Sequence, residues 1–375
     1  MPGCTASRRR ALRRLAVLLA LSPGSVFAFG DKAGVPPLPG PESGARAGVA
    51  AAPADSRPAP SNPPSLPPAC GTDPDPGPGH VRLLAVYDDS ALALLGGDDA
   101  VRRSVAAMIR FTNEALERSG AMVSLEFTLN ASGIRHIQDY VPGVTGGAVS
   151  PDEGPTIAAL CDLTCGLNGG EKVHLWREET AADLVVFVHA PPVPPPECGM
   201  AWVLGESGAG AGISLLHDAP YGYGVISLNP SYQKRDHSVA DCPPVEMVFA
   251  HEVGHMFGAG HERSSEPQDK IKGAFDSSRA FESHVAKTIM ATIGAMGSWR
   301  AMYSTDAHHC DAGSPVLICG TDGSSENTET IRATRHCVSS FWNQDTTSEL
   351  LLRILEDDDR FGRLDRCQRR VARCR

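Results

Sequence analysis

Apolar and polar positions along the chain follow two periods, and their succession predicts strands alternating with helices. Residues 81–87, Val-Arg-Leu-Leu-Ala-Val-Tyr, form a short apolar run ending at Asp88 and Asp89, which reads as a buried strand. From Asp98, a candidate N-cap, to Arg118, apolar positions recur at helical spacing through Val101, Val105, Met108, Ile109, Thr112 and Leu116. Ser119 and Gly120 stop that helix, and residues 122–129 alternate as a strand. Helical stretches near 156–160 and 171–180 lead into 182–188, Ala-Asp-Leu-Val-Val-Phe-Val, the strongest strand pattern present. A stiff proline loop over 191–196 precedes short strands at 199–203 and 224–228. Such alternation points to a mixed α/β fold. The second half is helix and loop, with helices predicted over 243–258 and 327–342.

Composition changes the picture mainly at the ends. Arg8, Arg9, Arg10, Arg13 and Arg14 form a basic segment, followed by an apolar core over 15–21. Val26-Phe27-Ala28 then offers a small-residue cleavage site, so residues 1–28 read as an export signal. The apolar core is too short for a permanent membrane span, and no later segment is long enough. Ser7-Arg8-Arg9 with Leu12 partly fits the twin-arginine route, but Ala11 stands where an aromatic is expected; Sec and twin-arginine export both stay open. Residues 29–79 hold nearly half of the 30 prolines and read as a disordered linker or pro-segment. Cys70 near its end is either half of a disulfide, the blander reading, or a thiolate latch on a metal. Residues 80–345 form the candidate folded domain, and 346–375 a charged extension carrying the last two cysteines.

The signal carries five arginines and no acid, so its removal takes the net charge from −10 to −15. An acidic surface repels phosphate, which argues against nucleic-acid partners and stable association with anionic membranes. The expectation is a secreted monomer, extracellular or periplasmic. Of the 11 cysteines, Cys4 leaves with the signal. The even remainder, with no CxxC pair, suggests up to about five disulfides in an oxidising compartment rather than a zinc ribbon. Close spacing favours Cys161–Cys165, Cys310–Cys319 and Cys367–Cys374, although spacing does not fix connectivity.

The chemistry concentrates in residues 251–262, His-Glu-Val-Gly-His-Met-Phe-Gly-Ala-Gly-His-Glu. Asp241 or Cys242 is placed to cap this helix, and Pro243 and Pro244 suit its first turn. His251 and His255, four apart, share one helical face. Glu252 is rotated by about a hundred degrees and sits beside their focus. Gly258 can take the left-handed conformation that ends the helix and returns His261 as a third ligand. Three neutral imidazoles with one open position are the layout of a single catalytic zinc. HExxH alone arises by chance in on the order of one chain in a hundred; requiring Gly258 and His261 lowers that roughly five hundredfold.

The stretch HExxHxxGxxH resembles the metzincin clan of zinc endopeptidases. Thr288-Ile289-Met290-Ala291 looks like that clan's methionine turn. Segments 113–121, 182–186 and 198–202 are similar to those of reprolysin-like (adamalysin-type) bacterial secreted peptidases, and the resemblance covers roughly residues 80–345. It implies an α/β (α+β) domain, a mixed twisted sheet with helices above a smaller helical and irregular lower subdomain. It also implies a zinc endopeptidase acting on protein or peptide, with Glu252 as general base and Met290 flooring the site. Gly199, Met200, Ala201 and Trp202 would edge the cleft, where an extended substrate can pair. Residues 290–304, including Ile293, Met296 and Trp299, would wall the pocket. Arg177 and Asp183 read as structural.

Two departures stand out. Glu262 follows the third histidine where reprolysins usually have Asp and astacins Glu. Thr292 stands where astacins and serralysins carry a metal-reaching Tyr, so the reprolysin side prevails. Glu262 either braces this region or is simply exposed. GxSxG is absent, which disfavours serine hydrolysis. Asp88-Asp89, Asp98-Asp99 and residues 357–359 lack an EF-hand pattern and read as solvated faces or caps rather than Ca2+ ligands. Two rival functions remain: a zinc amidase on a non-protein substrate such as cell wall, and a non-catalytic binding or adhesion module. The intact Glu252 with three histidines argues against the second.

Overall fold

A six-stranded sheet forms around strands that are buried almost throughout at its centre, as parallel strands covered on both faces must be. The computed structural model describes residues 78–127, 133–143, 154–205, 218–233, 238–263, 273–310, 318–320 and 325–342. The expected signal, nearly all of the linker with Cys70, the C-terminal extension with Cys367 and Cys374, and residues 357–359 lie outside them. Strand β1 (Gly79–Asp88) pairs in parallel with β4 (Leu184–His189) on one side. On its other side it pairs first with β2 (Val123–Phe127) and then with β3 (Ile134–Ile137). β6 (Tyr223–Ser227) continues the parallel order beyond β4, and β5 (Gly199–Ala201) closes the sheet as an antiparallel edge. All six residues of β4, at the centre, are buried.

Adjacent residues of a strand point to opposite faces, and β6 shows what covers each. Tyr223 rests against His174 of α4 (Gly170–Thr180), ring centroids 5.7 Å apart. Gly224 instead faces Met256 of α5 (Val245–Met256), whose Cε would lie 3.4 Å from an added Cβ. α3 (Gly154–Cys165) packs beside α4 and over β5 and β6; α5 packs against α2 (Asp98–Ser119). α2 buries one stripe, from Val101 through Leu116 to Ser119, and Gly120 ends it at φ 73°. The short α1 (Asp89–Leu95) is capped by the Asp88 carboxylate, which accepts from Ala91 N at 3.0 Å. α6 (Asn327–Val338) packs against α5 and the start of the sheet. Two small pairs complete the lower part: antiparallel β7 (Ser231–Gln233) with β8 (Val239–Asp241), and parallel β9 (Ala286–Lys287) with β10 (Ser298–Trp299). This is the mixed α/β architecture expected from the sequence.

Several local expectations need correction. Asp98 does not cap α2: Gly97 does, and the Asp98 carboxylate accepts the Tyr87 hydroxyl. Neither Asp241 nor Cys242 caps α5, because Pro244 holds that position, Asp241 is tied into the β7–β8 pair and Cys242 is bonded to Cys198. α5 ends at Met256, and α6 at Val338 rather than 342. Cys310–Cys319 forms as expected. Cys161–Cys165 does not: Cys165 is in a disulfide, but Cys161 keeps a buried thiol. Both lie on α3, where side chains four apart keep their Cβ atoms about 5–6 Å apart, beyond the roughly 3.5–4.5 Å of a disulfide.

Candidate active site

The site is built on the last turns of α5. The helix is apolar nearly all round, and residues from Met247 to Val253 bury it against the sheet and α2. Its end is abrupt. Gly258 adopts φ 82°, its N–H bonding His255 O at 2.8 Å, and an added Cβ would fall 2.6 Å from that of Ala274. The chain then turns back toward the helix face that carries His251 and His255.

Three imidazoles converge there. The Nε2 atoms of His251 and His255 are 3.1 Å apart, and each lies 3.0 Å from Nε2 of His261. Nδ1 of His251 faces Ile289 O at 2.8 Å, and Nδ1 of His255 faces Ala259 O at 2.9 Å. A carbonyl only accepts, so both Nδ1 atoms carry the proton and both Nε2 atoms present bare lone pairs to one another. Crowded lone pairs repel unless a cation lies among them. Zinc–nitrogen bonds of about 2.0–2.1 Å in tetrahedral geometry set nitrogens about 3.3 Å apart, so the cluster fits a zinc ion closely. Burial holds His251 down to about 4 and His255 to about 3, which keeps both neutral, as ligands must be. Among the described residues, these three are the group of metal-type donors brought within 4.8 Å of one another.

Glu252 lines the cleft beside the cluster and is 5% exposed. Burial, and then the neighbouring charge of Glu197, raise its carboxyl well above the ordinary range; a bound cation acts in the opposite sense. Its carboxylate lies against the edge strand. An added Cβ on Gly199 would sit 2.8 Å from Glu252 Oε1 and 2.8 Å from Val248 Cγ1.

Met290 is fully buried, and its sulfur fills the space that a side chain on Gly254 would need. It thus packs under the helix turn between His251 and His255. Glu262 is 2% exposed and accepts from Thr292 N at 2.7 Å and from the Thr292 hydroxyl, so it braces the methionine turn. Ile293, Met296 and Trp299 line the cleft of about 590 Å³, together with Tyr232 and Val248. Gly199, Met200 and Ala201 form the sheet edge, but Trp202 does not. It lies past the strand, 5% exposed, and its indole N–H donates to Thr164 Oγ1 at 2.8 Å, because the apolar ring is drawn into the core. Arg177 and Asp183 are buried and structural: Arg177 donates to Ala182 O and Asp183 O, and Asp183 receives Arg82 and Trp342 N.

Other contributors carry no sequence signal. Glu197 reaches Glu252 only because β5 runs along α5. Asn327, fully buried, holds the backbone just before His261 from both sides: Oδ1 accepts from Gly260 N at 3.1 Å and Nδ2 donates to Gly260 O at 3.0 Å. Cys198–Cys242 joins the start of β5 to the segment entering α5.

Among solved structures, one chain from a chaperone–substrate complex aligns with a TM-score of 0.47 at 17% identity, covering 71% of this chain and 35% of that one. This chain therefore spans about a third of that relative's length. No curated protein matches the chain. A reprolysin-type model of metallo-peptidase family M12 matches residues 78–304, from the start of β1 past the Met290 turn. With that match over more than half its length, and three histidines disposed as the family's zinc cofactor requires, the chain belongs to metallo-peptidase family M12.

Proposed function

We propose that the protein is a secreted zinc endopeptidase in which His251, His255 and His261 hold the metal and Glu252 is the general base. One observation carries the reading: three Nε2 atoms lie 3.0–3.1 Å apart in a cleft that Glu252 also lines. A zinc ion bound there supplies Lewis-acid polarisation of the scissile carbonyl and lowers the pKa of water beside it to about 7. Glu252 takes the proton from the attacking water and delivers it to the departing amine. Ile289 O and Ala259 O fix the tautomer and orientation of two imidazoles. Met290 floors the site, and the exposed edge of β5, Gly199 to Ala201, orients an extended peptide by strand pairing. Residues 80–345 form the catalytic domain of a monomer. Residues 1–28 are a signal peptide, 29–79 a linker or pro-segment and 346–375 an extension, and the catalytic domain is of the bacterial secreted reprolysin-like kind that the sequence resembles. The disulfides fit an oxidising compartment, and no helix among the described residues is long and apolar enough to cross a membrane.

The test is cleavage of casein and of a peptide library by zinc-loaded protein, wild type against Glu252→Ala. The variant should bind one zinc per chain yet lose about 10³-fold or more in kcat. Internal cleavage by the wild type with equal cleavage by Glu252→Ala would remove the general base. Cleavage of muropeptides alone would replace the peptidase with an amidase.

A further inference from the structure

One wall of the cleft is a largely irregular segment over residues 292–299, running from the Met290 turn through the two-residue β10. It lacks a strand or helix ladder over most of its length, yet three charged side chains grip its backbone. Glu262 accepts from Thr292 N at 2.7 Å. Lys287 Nζ donates to Ile293 O at 3.1 Å and to Ala295 O at 2.8 Å. Glu282 accepts from Met296 N at 3.3 Å. The Lys287 ammonium also lies 4.3 Å from the centroid of the Trp299 ring, in cation–π contact.

Lys287 is only 5% exposed, an expensive place for an ammonium unless its bonds do something a neutral residue cannot. Its bonds go to the backbone of the segment whose apolar side chains line the cleft. Ile293 and Met296 remain 37% and 52% exposed at the lining, where an unrestrained loop would fold them away from water. We propose that Lys287, set between Glu262 and Glu282, is a positioning residue for specificity: it fixes Ile293, Met296 and Trp299 as the wall against which a substrate side chain packs. Because Glu262 directly follows His261, the same brace couples the wall to the turn carrying the third histidine. This rests on the reading of the cleft as a peptide site.

The experiment uses full-length, zinc-loaded wild type, Lys287→Met and Lys287→Arg, with two readouts. Hydrogen exchange should speed about tenfold or more at the amides of 292–299 in Lys287→Met, with α5 unchanged. Peptide-library kinetics should show KM raised on the order of tenfold, kcat within about threefold and a flattened side-chain preference. Lys287→Arg, which keeps the charge and donors, should recover most of both. If Lys287→Met does not fold, Lys287→Gln takes its place. Unchanged exchange in the loop overturns the brace. Faster exchange with intact side-chain preference, or a loss confined to thermal stability, overturns the specificity role. A wild type that cleaves no peptide sinks the peptidase reading and the specificity role with it, while the exchange comparison still decides whether Lys287 holds the loop.

Discussion

At the scale of single residues, the site depends on what is missing as much as on what is present. Gly199 has no side chain, and the vacant position is where the Glu252 carboxylate lies, 2.8 Å from an added Cβ. Gly199→Ala should therefore push the flexible end of Glu252 aside and shift Val248, whose Cγ1 is equally close, rather than unfold the sheet. The expected outcome is a drop in kcat on the order of a hundredfold, with stability lowered by only about 1–2 kcal/mol. Steady-state kinetics and a urea melt check both parts; equal losses of activity and stability would make Gly199 a packing residue. The helical spacing of His251, Glu252 and His255 was legible in the sequence because i and i+4 geometry is local. The need for glycine at 199 was not, since it arises from β5 meeting α5.

At the scale of elements, α5 supplies two imidazoles, but α6 sets where the third can stand. Asn327 grips Gly260 by both its N–H and its C=O, and Thr334 donates to Phe257 O at 2.8 Å, so α6 clasps the whole returning turn. Asn327→Ala frees that turn and leaves two buried backbone groups without partners. Zinc affinity, measured by chelator competition, should fall on the order of tenfold, and the cobalt-substituted spectrum should shift, since displacing a ligand alters the metal's coordination. An unaltered affinity in folded protein would confine Asn327 to stability. α1, β3 and the short β7–β8 and β9–β10 pairs were too short to show a period. The main strands and the longer helices were readable in order from periodicity, with their ends shifted by a few residues. The reason is physical: caps went to Gly97 and Pro244 because Asp98 and Cys242 were engaged by Tyr87 and Cys198 across the fold.

At the scale of the whole molecule, acid stability follows from a histidine outside the site. His189, at the end of β4, is 1% exposed, and its Nε2 has no hydrogen-bond partner among the described residues. Burial lowers its pKa to about 4 from 6.5. Above pH 6.5 neither folded nor unfolded chain is protonated there, and the full stability is present. Between 6.5 and about 4 the unfolded chain takes up a proton that the folded chain refuses, so stability falls as pH drops, by about 3 kcal/mol in all. In metal-free protein His251 and His255 titrate in the same direction and add to the loss. His189→Leu should remove only its own share, so the gap between variant and wild type widens by about 3 kcal/mol from pH 7 to pH 4. Parallel pH profiles in denaturant melts would contradict this.

By itself, the sequence determined the α/β class, the helix bearing two histidines and a carboxylate, and the return of His261 after Gly258, because all of these follow from short-range periodicity and backbone conformation. Only the tertiary structure decided that Glu262 binds Thr292, that Cys198 pairs with Cys242, that Trp202 turns inward and that Asn327 and Lys287 stand behind the site. Each of those contacts joins residues from 30 to 67 positions apart along the chain, or, for Lys287, a loop with no regular pattern of its own. No local period encodes which distant groups meet when the core closes.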